Sequence, residues 1–125
     1  MKKYVAVTST INHSEFNTVA AAINEVTDAY RAGFDAIYAD HVKAWDEIWK
    51  NADVKIEGDK SAQQAIRFNI FHLYQTYTGN NAKLNIGPKG FTGEKYGGAT
   101  YWDTEAYCIP FFLKTAPQAV SRQLL

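Results

Sequence analysis

Cysteine is almost absent from this chain of 125 residues, where Cys108 stands alone. A single thiol excludes an internal disulfide framework and points to a reducing compartment, so a cytoplasmic location is expected. Net charge is missing as well, with 13 Lys and Arg against 13 Asp and Glu. That balance argues against a nucleic-acid footprint, and no charge block reads as a tail. Long hydrophobic runs are lacking too. None approaches the roughly 18–20 residues that cross a bilayer, and polar Thr8, Ser9, Thr10 and Asn12 follow the first seven residues too soon for a signal peptide. The three histidines, His13, His41 and His72, are far apart and form no His-x-x-x-His pair, so neither a metal site nor a bound cofactor is expected. Gly93-Glu-Lys-Tyr-Gly-Gly98 matches neither a P-loop nor a dinucleotide fingerprint. Cys108 lies in an apolar Tyr-Cys-Ile-Pro run that reads as core, not as a nucleophile.

What is present is a soluble composition, 46% hydrophobic, with aromatics at a high 14%. Periodicity predicts a mainly α fold. Tyr4–Thr8 reads as a short strand, and Asn17 or Ser14 is placed to cap the helical stretch that begins at Thr18. From Thr18 to Lys50 the residues Val19, Ile23, Val26, Tyr30, Phe34, Ile37, His41, Trp45 and Ile48 recur at helical spacing. One helix of that length is about 50 Å long, beyond the ~30 Å span of a small domain, and Gly33 offers a break point. A helix so long without an equal partner reads as a connector between domains. Residues 53–57 alternate briefly and read as a second short strand. Ser61 with Gln64 has capping-box spacing and opens a helix that ends near Thr78, with Gly79 as its C′ residue. Asn69 falls on that helix's apolar face and requires a partner if buried. Asp103 is placed to start a short helix that Pro110 interrupts or restarts. Thr115 with Gln118 repeats the capping spacing before a last helix from Pro117 to Leu125. That helix has little to pack on and no stop signal, so the chain is expected to be an internal piece of a longer protein.

Five of the eight glycines, Gly87, Gly90, Gly93, Gly97 and Gly98, fall within residues 85–107. This shaped loop runs into Tyr101-Trp102-Asp103-Thr104-Glu105, two aromatics beside two carboxylates. Flat apolar faces edged by acceptor oxygens suit a sugar ring. The competing reading is a buried aromatic turn in which Asp103 caps the next helix. Glu94, Asp103 and Glu105 cluster in sequence, yet Asp103 and Glu105 are two residues apart at a helix start and need not form the paired carboxylates of a glycosidase.

Three strings carry a resemblance to a known family: Gln63 to Tyr77, Leu84 to Gly98, and Thr100-Tyr-Trp-Asp-Thr-Glu-Ala-Tyr-Cys108. They resemble the disaccharide phosphorylases of glycoside hydrolase family 65. Gly93–Gly98 and Glu105–Cys108 are most similar to its maltose-acting members, with the trehalose- and kojibiose-acting members as the alternatives within the family and a non-catalytic carbohydrate-binding helical module as the alternative outside it. The resemblance implies an N-terminal β-sandwich, a helical linker and an (α/α)6-barrel catalytic domain. On that plan residues 1–12 are the end of the sandwich region, 13–58 the linker with its short strand, and 59–125 the incomplete start of the barrel.

The resemblance also implies an inverting phosphorolysis, in which maltose and phosphate give glucose and β-glucose 1-phosphate. Inorganic phosphate is then a co-substrate and nucleophile, and one acid suffices to protonate the departing oxygen. That acid and the phosphate cradle are expected beyond Leu125, so no catalytic residue is assigned here. Trp102 and Asp103 match the family's pair at the donor-sugar subsite, with Trp102 packing on the ring and Asp103 accepting from hydroxyls. Glu105, Lys89 and the rest of the loop to Gly98 are candidates to support them. The implied partners are maltose or a related disaccharide, phosphate, the remainder of the same protein and a second copy as a homodimer, with no nucleic acid and no membrane.

Overall fold

The computed structural model describes residues 1–81, 84–87, 90 and 99–121. Among them the fold is helical and contains no strand. The chain divides into two compact units, Met1–Ile48 and Trp49–Leu125.

In the first unit a 3-10 turn, Glu15–Asn17, leads into α1, Thr18–Ala32, and then into the first part of α2, Phe34–Ala52. Gly33 separates the two helices at φ 81°, ψ 160°. Side chains rarely adopt that conformation, so the continuous helical period of the sequence is cut by one residue's backbone freedom. Neither Ser14 nor Asn17 caps through its side chain. The Thr18 hydroxyl instead donates to the Glu15 carbonyl at 3.1 Å.

Residues 4–8 do not form the expected strand. A strand is defined by ladder bonds to a neighbour, and no second strand is found among the described residues. The segment is instead tied to α1 by the Thr8 hydroxyl on the Thr18 carbonyl at 2.9 Å and by an edge-on contact of Tyr4 with Tyr30. No residue of 1–48 is buried. The helical stripe of Val19, Ile23, Tyr30, Phe34, Ile37, Tyr38 and Val42 remains exposed, which is how an amphipathic face looks without its partner surface.

The second unit is built on α3, Lys60–Thr76. Its N-cap is Asp59, whose Oδ1 accepts from the Ser61 and Ala62 backbone at 2.9 and 3.0 Å. Ser61 is therefore inside the helix, and the capping-box assignment is displaced by two residues. The segment 53–57 is extended yet is not a strand. The Gln63 side chain supplies what a neighbouring strand would: its Nε2 donates to the Val54 carbonyl at 2.8 Å, and its Oε1 accepts from the Ile56 N–H at 2.7 Å. Arg67 closes the same segment with two bonds to Asp53, at 2.8 and 2.7 Å.

The core lies further along the same face of α3, toward its C-terminal end. Ile70 and Tyr74, with Tyr77 just beyond the helix, are buried together with Ile86, Phe112, Ala116, Ala119 and Val120. Phe112, 1% exposed, meets the rings of Tyr74, Tyr77 and Phe111 edge-on at 5.1–5.9 Å. Such edge-to-face pairs contribute about 0.5–1.5 kcal/mol each beyond area burial. Asn69 is exposed, so the partner it would need in a core is not required.

After α3 the chain turns at Tyr77, two residues earlier than expected, and Gly79 takes φ 76° beside Ala119. Asp103 leads into a π-helical turn, Thr104–Cys108, followed by α4, Ile109–Thr115, and α5, Pro117–Ser121. The Ile109 N–H donates to the Thr104 carbonyl, five residues back. Pro110 accounts for this widening. It has no N–H for an α-helical bond to Ala106, and its ring crowds that carbonyl. The Thr115 hydroxyl, just before α5, donates backwards to the Phe111 carbonyl at 3.1 Å.

Candidate functional site: the Trp102–Asp103 turn

The candidate turn is held on a base of two buried groups. Ile86 is 3% exposed and belongs to the core. Its carbonyl accepts from the Thr104 hydroxyl at 2.8 Å, and Thr104 is itself buried. A second tie joins the same two segments, from the Asn85 side-chain amide to the Thr100 hydroxyl. The turn then closes on itself, with the Thr104 N–H on the Tyr101 carbonyl at 3.1 Å and the Ala106 N–H on the Trp102 carbonyl at 3.0 Å. Gly90, at φ 66° with its N–H on the Gly87 carbonyl, places another turn within the glycine loop.

Trp102 and Asp103 are adjacent on this base and differ in exposure. The Trp102 indole is 67% exposed and leans at 44° to Tyr107, centroids 5.9 Å apart. Asp103 is half-buried, with helical backbone angles, φ −55° and ψ −34°, and its side chain makes no capping bond. Its carboxylate is thus not used by the helix start that the sequence offered it. The charge is felt locally: the Cys108 thiol is pushed up first by burial and then by the negative charge of Asp103. A thiol held neutral is a poor nucleophile, in keeping with Cys108 as a packing residue. Glu105 lies exposed in the following turn. Lys89, Glu94 and the Phe91–Gly98 loop lie outside the described residues.

Two contributors were not singled out from the sequence. Tyr107 meets Trp102 across five residues, a pairing that an α-helical register would carry well round the helix and that the π-helical turn brings together. Pro110 was its only sequence signal. Thr104 is the one buried polar side chain among the described residues, and a threonine between two carboxylates gives no hint of burial.

A cavity of about 680 Å³ in this unit lies elsewhere, between the 56–60 segment and α3. Of its polar lining, Gln63 is engaged with residues 54 and 56, Arg67 with Asp53, and Asp59 with the helix start, while Lys60 and Gln64 also face it.

Residues 67–125 match the glycosyl hydrolase family 65 central catalytic domain. Over all 125 residues the chain is 48% identical to a maltose phosphorylase of Bacillus subtilis, of which it covers 16%. It is 42% identical over 94% of its length to an alpha,alpha-trehalose phosphorylase of Thermoanaerobacter brockii, covering 15% of that protein. It is 39% identical over 96% of its length to a kojibiose phosphorylase of Caldanaerobacter subterraneus, covering 16%. A solved structure from the human microbiome, assigned provisionally as a kojibiose phosphorylase, superposes on 89% of this chain with a TM-score of 0.80 at 32% identity, and the chain covers 15% of it. The chain thus spans about one sixth of the length of the relatives it matches. It belongs to glycoside hydrolase family 65, with residues 67–125 lying in that family's central catalytic domain.

Proposed function

We propose that this chain supplies part of the donor-sugar subsite of an inverting disaccharide phosphorylase, and that the disaccharide is maltose. The observation that carries the proposal is an exposed Trp102 beside an Asp103 carboxylate that no helix cap consumes, in a chain 48% identical throughout to a maltose phosphorylase. Trp102 offers the apolar face for the glucosyl ring, and Asp103 accepts hydrogen bonds from its hydroxyls. Glu105, in the next turn, is a further candidate contact, and Lys89 is one on the family resemblance alone.

In the reaction an oxygen of inorganic phosphate attacks the anomeric carbon as the glycosidic C–O bond breaks, with inversion. A carboxylic acid beyond Leu125 delivers its proton to the departing glucose oxygen. The products are glucose and β-glucose 1-phosphate, and no cofactor is required. Residues 59–125 open an (α/α)6 barrel, 13–58 form the linker, and 1–12 end a β-sandwich. The exposed apolar stripe along α1 and α2 supports a linker that packs on other parts of the full-length protein. That protein acts as a cytoplasmic homodimer.

Trehalose and kojibiose are the competing substrates, supported by identities of 42% and 39%. The test is the full-length protein incubated with each disaccharide, with and without phosphate, and products read by NMR. Phosphate-dependent cleavage of maltose to β-glucose 1-phosphate is expected. Preference for trehalose or kojibiose would reassign the substrate. Hydrolysis without phosphate, or no cleavage of any of the three, would refute the phosphorylase reading.

A further inference from the structure

We infer that Thr104 is a positioning residue of the sugar site, the tie that fixes the Trp102–Asp103 turn against the core and so sets where the Asp103 carboxylate stands. The inference rests on the proposed subsite and adds a residue to it. Thr104 contacts no sugar in this scheme. It acts through its neighbours.

Three observations carry it. Thr104 is 3% exposed, yet it is polar and sits directly after Asp103. A buried hydroxyl is retained only where a partner satisfies it, and here the partner is the carbonyl of Ile86 at 2.8 Å, eighteen residues away in sequence. Ile86 is anchored in the core, so the bond transmits the rigidity of the core to the turn. The turn also needs an external hold. Asp103 does not cap through its side chain, and the adjoining helix start is a π-helical turn with wider spacing than an α-helix. The Asn85 to Thr100 bond is a second, outer tie between the same two segments. Together the two bonds close the base of the glycine-rich loop, whose ends leave from residues 87 and 99.

The consequence is specific. Loosening this base moves Trp102 and Asp103 and leaves untouched a phosphate cradle that lies elsewhere in the catalytic domain. A site misplaced by about 1 Å can lose on the order of 100-fold in rate. Thr104→Val keeps the shape and removes the hydroxyl, and Thr104→Ser keeps the hydroxyl and removes only the methyl.

The experiment is steady-state phosphorolysis by the full-length protein, with disaccharide and phosphate varied separately, for wild type, T104V, T104S and N85A. Wild-type activity is the separate check on the proposed function: a wild type without phosphorolysis overturns both readings. With wild type active, T104V is expected to lose roughly 10- to 100-fold in kcat/KM for the disaccharide, with KM for phosphate within about twofold. T104S is expected to recover most of that loss. A T104V enzyme within about twofold of wild type, an equal rise in both KM values, or a T104S enzyme as impaired as T104V would overturn the positioning role and leave the phosphorylase reading standing. If T104V does not fold, N85A decides, since the Asn85–Thr100 pair is exposed. A loss confined to the disaccharide supports the inference, and unchanged kinetics overturns it.

Discussion

Replacing Asp103 by alanine separates the two duties that its position offers, helix cap and sugar ligand. A lost N-cap costs about 1 kcal/mol of stability. Asp103 makes no capping bond, so that cost should be absent, and the unfolding midpoint of the full-length protein should stay near that of wild type. As a ligand, a carboxylate that accepts two sugar hydroxyls loses two charge-assisted hydrogen bonds. At about 1.5–3 kcal/mol each, the sum is about 3–6 kcal/mol. With tenfold in rate per about 1.4 kcal/mol, kcat/KM should fall on the order of 10² to 10⁴-fold. The assay pairs phosphorolysis kinetics with urea unfolding of D103A. A variant that keeps activity within about threefold would remove Asp103 from the site. One that loses stability and activity together would return it to the role of a structural residue.

Three further outcomes are expected from the same geometry. The Asp103 charge contributes to raising the Cys108 thiol, after burial, so D103A should move the pH profile of Cys108 alkylation in the folded protein to lower pH, by only part of the total shift. An unmoved profile would mean that the two groups do not interact. Arg67 holds the Asp53 carboxyl below the usual carboxylate range, chiefly through its hydrogen bonds. A depressed folded-state value means that this pair stabilises above the unfolded carboxylate range, and that the contribution is lost as pH falls through the lowered value. In R67Q the Asp53 carbon resonance should titrate at higher pH than in wild type, and an unchanged midpoint would refute the coupling. Finally, a Cβ built on Gly79 lies 2.5 Å from the Cα and Cβ of Ala119, at φ +76°. G79A should therefore cost about 2–5 kcal/mol, from overpacking and left-handed strain together, and a urea midpoint equal to that of wild type would show that α5 yields freely.

The sequence by itself determined the helical character of the chain, because the 3.6-residue period from Thr18 to Lys50 and along α3 is a local property of side-chain order. It also located the candidate turn, since Trp102 and Asp103 are consecutive and the family strings run through them. The break at Gly33 was legible because a single glycine interrupted an otherwise unbroken period. Capping and strand assignment were not decided locally. Asp59 and Ser61 are both good caps, and only the fold of the 53–58 segment onto α3 selected Asp59. The Val54–Ile56 segment has the alternation of a strand, yet its backbone groups are met by the Gln63 side chain from nine and seven residues away.

The tertiary structure also decided that Asp103 makes no side-chain cap. From the sequence, cap and ligand were both open to the same carboxylate. Thr104, held by the Ile86 carbonyl, now anchors the turn, and Pro110 precludes the ordinary α-helical bond to Ala106, so the helix starts without using Asp103 as a side-chain cap. Pro110 and Ile86 stand seven and seventeen positions away from Asp103, the second of them in the buried core. A bond between residues 86 and 104 exists only once the chain has folded back on itself, which is why no local pattern announced it.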